Sequence, residues 1–196
     1  MALAARKMPV QPRAQATVEA ILAAAAGILE REGPTRLTTN AVAAQAGVSI
    51  GSLYQYFPNK QALTAALIER SSGSLETSVV QAGRDAKTML FEAGLRLLVR
   101  TIVRHQLDRP GLERTLAYEG RRLPVDDGAA RRVNVVIRSF LEQHRGRLWG
   151  SDINAAADDV QSMTRSLTDA SVRRGDRNAD LIELRVVRAL RGYLCR

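Results

Sequence analysis

The run TTNAVAAQAGVSIGSLYQYFPNK at residues 38–60 is punctuated so closely that few folds stay open to it. Thr38 or Thr39 can cap a first helix, because a threonine hydroxyl accepts from the amides that a helix start leaves unpaired. Val42, Ala43 and Ala46 then fall at one-face spacing. Gly47 supplies the backbone freedom, with positive φ, for a sharp bend after Ala46. Val48 returns to the core and Ser49 caps a second helix. Leu53 and Phe57 face inward along it, which leaves Tyr54, Gln55 and Tyr56 pointing outward. Pro58 stops that helix, and Asn59 caps the next with Lys60 directly behind it. Two short helices across a glycine turn are the economical reading.

The rest of the chain repeats at helical period. Val18, Ile21, Leu22, Ala25, Ile28 and Leu29 form an apolar stripe from about residue 13 to 31, closed by Gly33-Pro34. This helix has the length and polarity to pack under the two short ones. After Asn59 a helix runs through Leu63, Ala66 and Leu67 toward Ser74. The small polar stretch Ser71–Ser74 marks a change of composition and the expected domain boundary. Residues 85–106 are apolar nearly all round, which predicts a central, buried helix. Along it Glu92, Arg96, Arg100 and Arg104 stand at i+4 spacing, either a solvated face with a Glu-to-Arg pair or a cationic lining for an acidic ligand. Pro110 suits the first turn of a short helix reaching about Tyr118. Further helices are expected over about 126–147, 152–173 and 178–194. Strand signals are absent, so the fold class is all-α with about nine helices. Residues 1–13 read as a flexible basic arm, 14–74 as one domain and 75–196 as a second.

The last two helices carry wider apolar faces than a single contact needs. Ile153, Ala156, Val160, Met163 and Leu167 line one stripe with several small residues. Ile182, Val186, Leu190 and Tyr193 belong to an arc of roughly 160° on the other. One side can be buried in the chain and another against a two-fold mate, giving a four-helix bundle.

Charge and composition bound the chemistry. Net charge is +9, but residues 1–75 hold 7 Lys/Arg against 4 Asp/Glu and residues 76–196 hold 22 against 16, so basicity is not concentrated on the motif. Charge alone therefore argues weakly for nucleic acid. Cys195 is the only cysteine, which excludes an intramolecular disulfide. His105 and His144 have no neighbours at ligand spacing, so no metal site and no cofactor is expected. No phosphate-binding glycine loop and no activated nucleophile can be recognised, which argues against an enzyme. No apolar run reaches the ~20 residues of a bilayer span, and the opening segment has no secretory signal, so a cytoplasmic protein is expected.

The run from Thr38 through AGVS and GSLYQYF to Lys60 and Leu63 resembles the DNA-binding signature of the TetR family of one-component bacterial regulators. The likeness covers roughly residues 14–70. It implies an N-terminal three-helix helix-turn-helix domain and a larger C-terminal bundle for effector binding and dimerisation. It further implies that Thr38 and Thr39 cap the first helix against phosphate, that Ser49, Ile50, Gly51 and Ser52 enter the major groove, and that Tyr54, Tyr56 and Lys60 grip the backbone. Gln55 can pair bidentately with adenine. The expected protein is a homodimeric repressor released from a palindromic operator on double-stranded DNA by a small-molecule effector. Candidate effector contacts are Met89, Phe91, Arg96, Leu97, Arg100, Tyr118, Phe140, His144, Trp149 and Met163. The alternative is an inducer-independent DNA-binding protein with a structural role on the chromosome, which a filled bundle core would favour.

Overall fold

The computed structural model describes residues 11–126, 128–150 and 152–195. They form nine α-helices, a single 3-10 turn at Arg145–Arg147 and no strand: α1 (Pro12–Glu32), α2 (Thr39–Ala46), α3 (Ile50–Tyr56), α4 (Lys60–Ala86), α5 (Phe91–Asp108), α6 (Pro110–Gly120), α7 (Gly128–Gln143), α8 (Ile153–Arg173) and α9 (Ala179–Leu194). The helices divide into two compact units. One holds the described residues up to Ser71 with Gly111–Asp126, and the other Ser72–Pro110 with Asp127–Arg196.

In the first unit the stripe of α1 meets Leu37, Val42, Ala43, Leu53, Phe57, Leu63 and Leu67 in one core. Ala24, Ala25, Ala26 and Gly27 are all buried, and such small side chains let α2 lie close on α1. Leu112 and Leu116 of α6 join this core, so a segment expected in the second domain packs in the first. The expected arm, residues 1–13, lies outside the described residues except for its last three; Pro12 already opens α1, where a missing N–H leaves nothing unpaired.

The expected helix end near Ser74 is corrected. α4 runs unbroken to Ala86, and the division between units falls inside it, between Ser71 and Ser72. Thr77 and Ser78 return their hydroxyls to the carbonyls of Gly73 and Ser74. Leu75 and Val79 are buried, and this tertiary burial outweighs the weak helix propensity of serine and glycine. The break comes later, at residues 87–90, so α5 starts at Phe91 rather than at residue 85.

In the second unit α5 packs on α8 and α9, and α7 on α8. α5 is two-faced, not apolar all round: Phe91, Leu95, Leu98, Val99, Ile102 and Val103 are buried while Glu92, Arg96 and Arg104 are exposed. Glycines set two close approaches, since a Cβ on Gly94 would collide with Phe140 and one on Gly83 with Val136.

Candidate nucleic-acid interface

The turn between α2 and α3 is built from local hydrogen bonds. Thr38 Oγ1 accepts from the Ala41 amide at 3.1 Å and caps α2. Gly47 ends it at φ 67°, ψ 29°. Its amide donates to Ala44 O at 3.2 Å and that of Val48 to Ala43 O at 3.1 Å, the pair of bonds that closes a helix through a left-handed glycine. Ser49 Oγ accepts from the Ser52 amide at 3.0 Å and lies 2.8 Å from Ser52 Oγ. Asn59 Oδ1 accepts from Ala62 at 2.8 Å, so α4 is capped as α3 ends.

These caps orient α3. Leu53 and Phe57 are buried, whereas Ile50, Gly51, Tyr54 and Gln55 are exposed and Ser52 is half-buried. Thr39 Oγ1 and the Tyr54 hydroxyl are 3.1 Å apart, which ties the middle of α3 to the start of α2. Tyr56 is half-buried and packs on the core with only part of its ring outward. Lys60 is exposed at the first turn of α4, and no acidic residue pairs with it among the described residues. Residues 38–60 contain no Asp or Glu. An exposed surface of hydroxyls, the amides of Asn40, Gln45 and Gln55 and one ammonium, with no carboxylate, can accept a phosphate backbone without repulsion.

The candidate effector residues do not gather at one place. Phe91, Phe140 and His144 do meet: the phenyl rings stack at 5.8 Å, and the imidazole lies 5.5 and 4.8 Å from them. His144 Nε2 and Gln106 Oε1 are buried without a hydrogen-bond partner among the described residues. Leu97 and Met163 pack against the same core. Met89 and Trp149 are exposed, and Tyr118 belongs to the first unit, where Arg122 donates to its hydroxyl at 3.2 Å.

Arg96 and Arg100 are engaged. Arg96 Nε donates to Glu183 Oε1 at 2.5 Å and Arg100 Nε to Oε2 at 2.7 Å. The Glu183 side chain is 2% exposed, those of the arginines 52% and 40%. Burial alone would raise the Glu183 carboxyl, but the hydrogen bonds from Arg100 and Arg96 outweigh it and hold it below the usual carboxylate value. Two arginines of the stripe thus share a glutamate that the sequence reading did not single out. Glu183 sits in the apolar register of Ile182, Val186 and Val187, a place where an acid needs a partner.

A cleft of about 250 Å³ opens between α4 and α7, lined by Val80, Gly83, Arg84, Lys87, Val135, Val136, Ser139, Phe140 and Gln143. Of these only Phe140 was among the expected contacts. The expected dimer residues also divide. Ile153, Val160, Ile182, Val186 and Leu190 are buried in the chain's own core and cannot supply a contact surface. Ala156, Met163 and Leu167 are half-buried, and Tyr193 is exposed with its hydroxyl on Asp159, which raises the phenol's pKa. Leu181 and Leu184, not foreseen, are exposed on α9. Among the described residues no cluster of three or more His, Cys, Asp or Glu side chains is placed to hold a metal, and no helix is long and apolar enough to cross a membrane.

Comparison with known proteins agrees with this architecture. Residues 21–67 match the family model described as bacterial regulatory proteins, tetR family, and residues 91–194 match the tetracyclin repressor-like C-terminal domain. A nucleoid occlusion factor, SlmA of Glaesserella parasuis, is 34% identical over 114 residues, which is 56% of this chain and 53% of that protein. The chain thus spans about half the length of the curated relatives it matches. A solved tetR-family regulatory protein from Rhodococcus RHA1 superposes with TM-score 0.76 at 23% identity, covering 92% of this chain and 98% of the other. SmeT, repressor of the Stenotrophomonas maltophilia efflux pump SmeDEF, superposes with TM-score 0.69 at 20% identity, covering 93% and 92%. With one family model on the helix-turn-helix and a second over more than half its length, the chain belongs to the TetR family of bacterial regulatory proteins.

Proposed function

We propose that the protein is a homodimeric, sequence-specific DNA-binding repressor that a small-molecule effector releases from a palindromic operator. The observation that carries this reading is the exposed, acid-free face of α2, α3 and the first turn of α4. Ile50, Gly51, Ser52 and Gln55 enter the major groove, with Gln55 pairing to adenine. Thr38, Thr39, Tyr54, Tyr56 and Lys60 hold phosphates and set the register. Ser49 spends its hydroxyl on capping, so few side chains read bases directly and DNA shape contributes to specificity. A single seven-residue reading helix spans only a few base pairs, and a two-fold pair reads half-sites about one turn apart. Leu181 and Leu184, exposed on α9 beside Arg185 and Arg188, and, on the flank toward α8, Tyr193 with the half-buried Met163 and Leu167 supply partly apolar surface for the mate. Release follows when an effector binds more tightly to a dimer state whose reading helices no longer match the operator spacing.

The likeness to nucleoid occlusion factors supports a second reading, in which the protein acts on the chromosome without an inducer. In vitro selection from random duplexes, followed by fluorescence anisotropy, tests both. The repressor reading expects a palindromic consensus. Gln55→Ala should relax one position of each half-site by about 1–3 kcal/mol. Equal affinity for selected and random duplexes at moderate salt would overturn sequence-specific repression.

A further inference from the structure

The cleft between α4 and α7 has a composition that selects its occupant. Its floor is apolar, with half-buried Val80 from α4 and half-buried Val136 and buried Phe140 from α7, and the exposed Val135 flanks it. Gly83 contributes bare backbone, and Val136 fills the space its side chain would take. The lip carries two cations, Arg84 and Lys87, with the Ser139 hydroxyl and the Gln143 amide. Gln143 Nε2 donates to Lys87 O at 2.7 Å, which fixes the end of α4 against α7. Neither Arg84 nor Lys87 has an ion-pair partner among the described residues. The acids nearest in sequence are turned to other uses and do not line the cleft: Asp85 accepts from Gln81 at 3.0 Å, and Glu142 pairs with Arg145 at 3.0 Å.

An apolar trough with two unpaired cations and a hydroxyl at one edge complements a molecule with one anionic end and one hydrocarbon end. Few precisely placed polar groups on an apolar lining is the usual make-up of a small-molecule site. A nucleotide or a free phosphate would leave the valine floor uncovered, and a neutral hydrocarbon would leave both cations unused. The volume is too small for a protein element and sufficient for an alkyl chain of medium length. The geometry points to a binding site for a medium-chain alkyl carboxylate, its carboxylate held by Arg84, Lys87 and Ser139 and its tail laid over Val80, Val135, Val136 and Phe140. Arginine favours a two-pronged hold on a carboxylate, and lysine adds a second charge. The occupant would bear on α4, the helix whose first turn holds Lys60. This assignment rests on the effector-responsive reading only for its consequence on DNA, not for binding itself.

Titration calorimetry with decanoate, 1-decanol and acetate, each below its aggregation limit, tests the site. Decanoate should bind saturably at one site per chain, with Kd on the order of 10–100 µM as expected for so small a ligand. Decanol should bind at least about tenfold more weakly, and acetate should not saturate at all. The double variant Arg84→Gln, Lys87→Gln should weaken decanoate by at least about tenfold while changing decanol by less than about twofold. Both side chains are exposed, so the variant should keep its circular dichroism melt. Ser139→Trp fills the trough and should abolish binding of decanoate and decanol alike. Equal decanoate affinity in wild type and the double variant, decanol binding as tight as decanoate, or uptake without saturation would each overturn the assignment. Operator affinity is measured separately. Saturable, lip-dependent binding that leaves operator affinity unchanged upholds the site and refutes the effector reading, whereas absent binding refutes the site whatever the DNA result.

Discussion

Taking away the two arginines that hold Glu183 should destabilise the protein more than taking away Glu183. The side chain of Glu183 is 2% exposed, and those of Arg96 and Arg100 are 52% and 40% exposed. In Arg96→Met, Arg100→Met the aliphatic stems are kept, but a carboxylate is stranded in the core, for which a loss of about 3–5 kcal/mol is expected. In Glu183→Gln nothing charged is stranded, because both guanidinium groups already reach water; the loss should be about 1–2 kcal/mol, from weakened hydrogen bonds. Adding Glu183→Leu to the double variant removes the stranded charge and should return most of the stability. The pH dependence has a definite sign. In the wild type the Glu183 carboxyl is held below its ordinary value, so its contribution is present above the ordinary carboxylate range and is lost as pH falls through the folded value. In the double variant burial acts alone and raises the carboxyl, so folding takes up a proton that the unfolded chain releases. The gap between the two proteins should therefore be widest near neutrality and narrow toward about pH 4. Urea unfolding followed by helical circular dichroism, at one protein concentration and at both pH values, measures it. A Glu183→Gln loss as large as that of the double arginine variant, or a gap independent of pH, would refute the reasoning.

Other perturbations separate core from surface. Leu181→Glu with Leu184→Glu should give a folded monomer by sedimentation velocity, whereas Leu190→Glu should unfold the chain, since it buries an unpaired charge. Gly47→Ala places a Cβ at φ 67° and should cost about 1–2 kcal/mol, read as a lowered melting temperature and weaker DNA binding. Thr38→Ala removes the α2 cap and should cost about 1 kcal/mol. Lys60→Ala should weaken all duplexes alike and lower the salt slope of binding by about one unit.

The helix-turn-helix could be read from sequence because each of its determinants acts within a few residues. Thr38 caps Ala41, Ser49 caps Ser52, Asn59 caps Ala62, and Gly47 turns on its own backbone. What could not be read depends on partners far along the chain. Glu183 meets Arg96 and Arg100 across 87 and 83 residues, and no local pattern announces such a meeting. Ser71–Ser74 has the composition of a boundary, and a boundary between units does fall there, yet buried Leu75 and Val79 carry the helix through it. The wide apolar arc of the last helix signalled two contacts, but α5 and α8 of the same chain already cover Ile182, Val186 and Leu190. Aromatic content pointed to Phe91, Phe140 and His144, which do cluster, and equally to Trp149 and Tyr118, which stay exposed, because ring size does not say which side of a helix a neighbour will occupy.

Because the seam between the two units lies inside α4, residue count there becomes a heritable constraint independent of chemistry. The helix has 27 residues, about 40 Å of continuous α-helix. One residue inserted between Ser71 and Ser72 would shift the helical register by about 100°, so that the core contacts on the two sides of the seam, Leu63 and Leu67 before it and Leu75 and Val79 after it, could not all be kept. Point changes at the small, polar positions around the seam should be tolerated, while single insertions and deletions should be purged. Halves exchanged between relatives would therefore function together only when joined in screw register, so the seam is a place where lineages can recombine by counting turns.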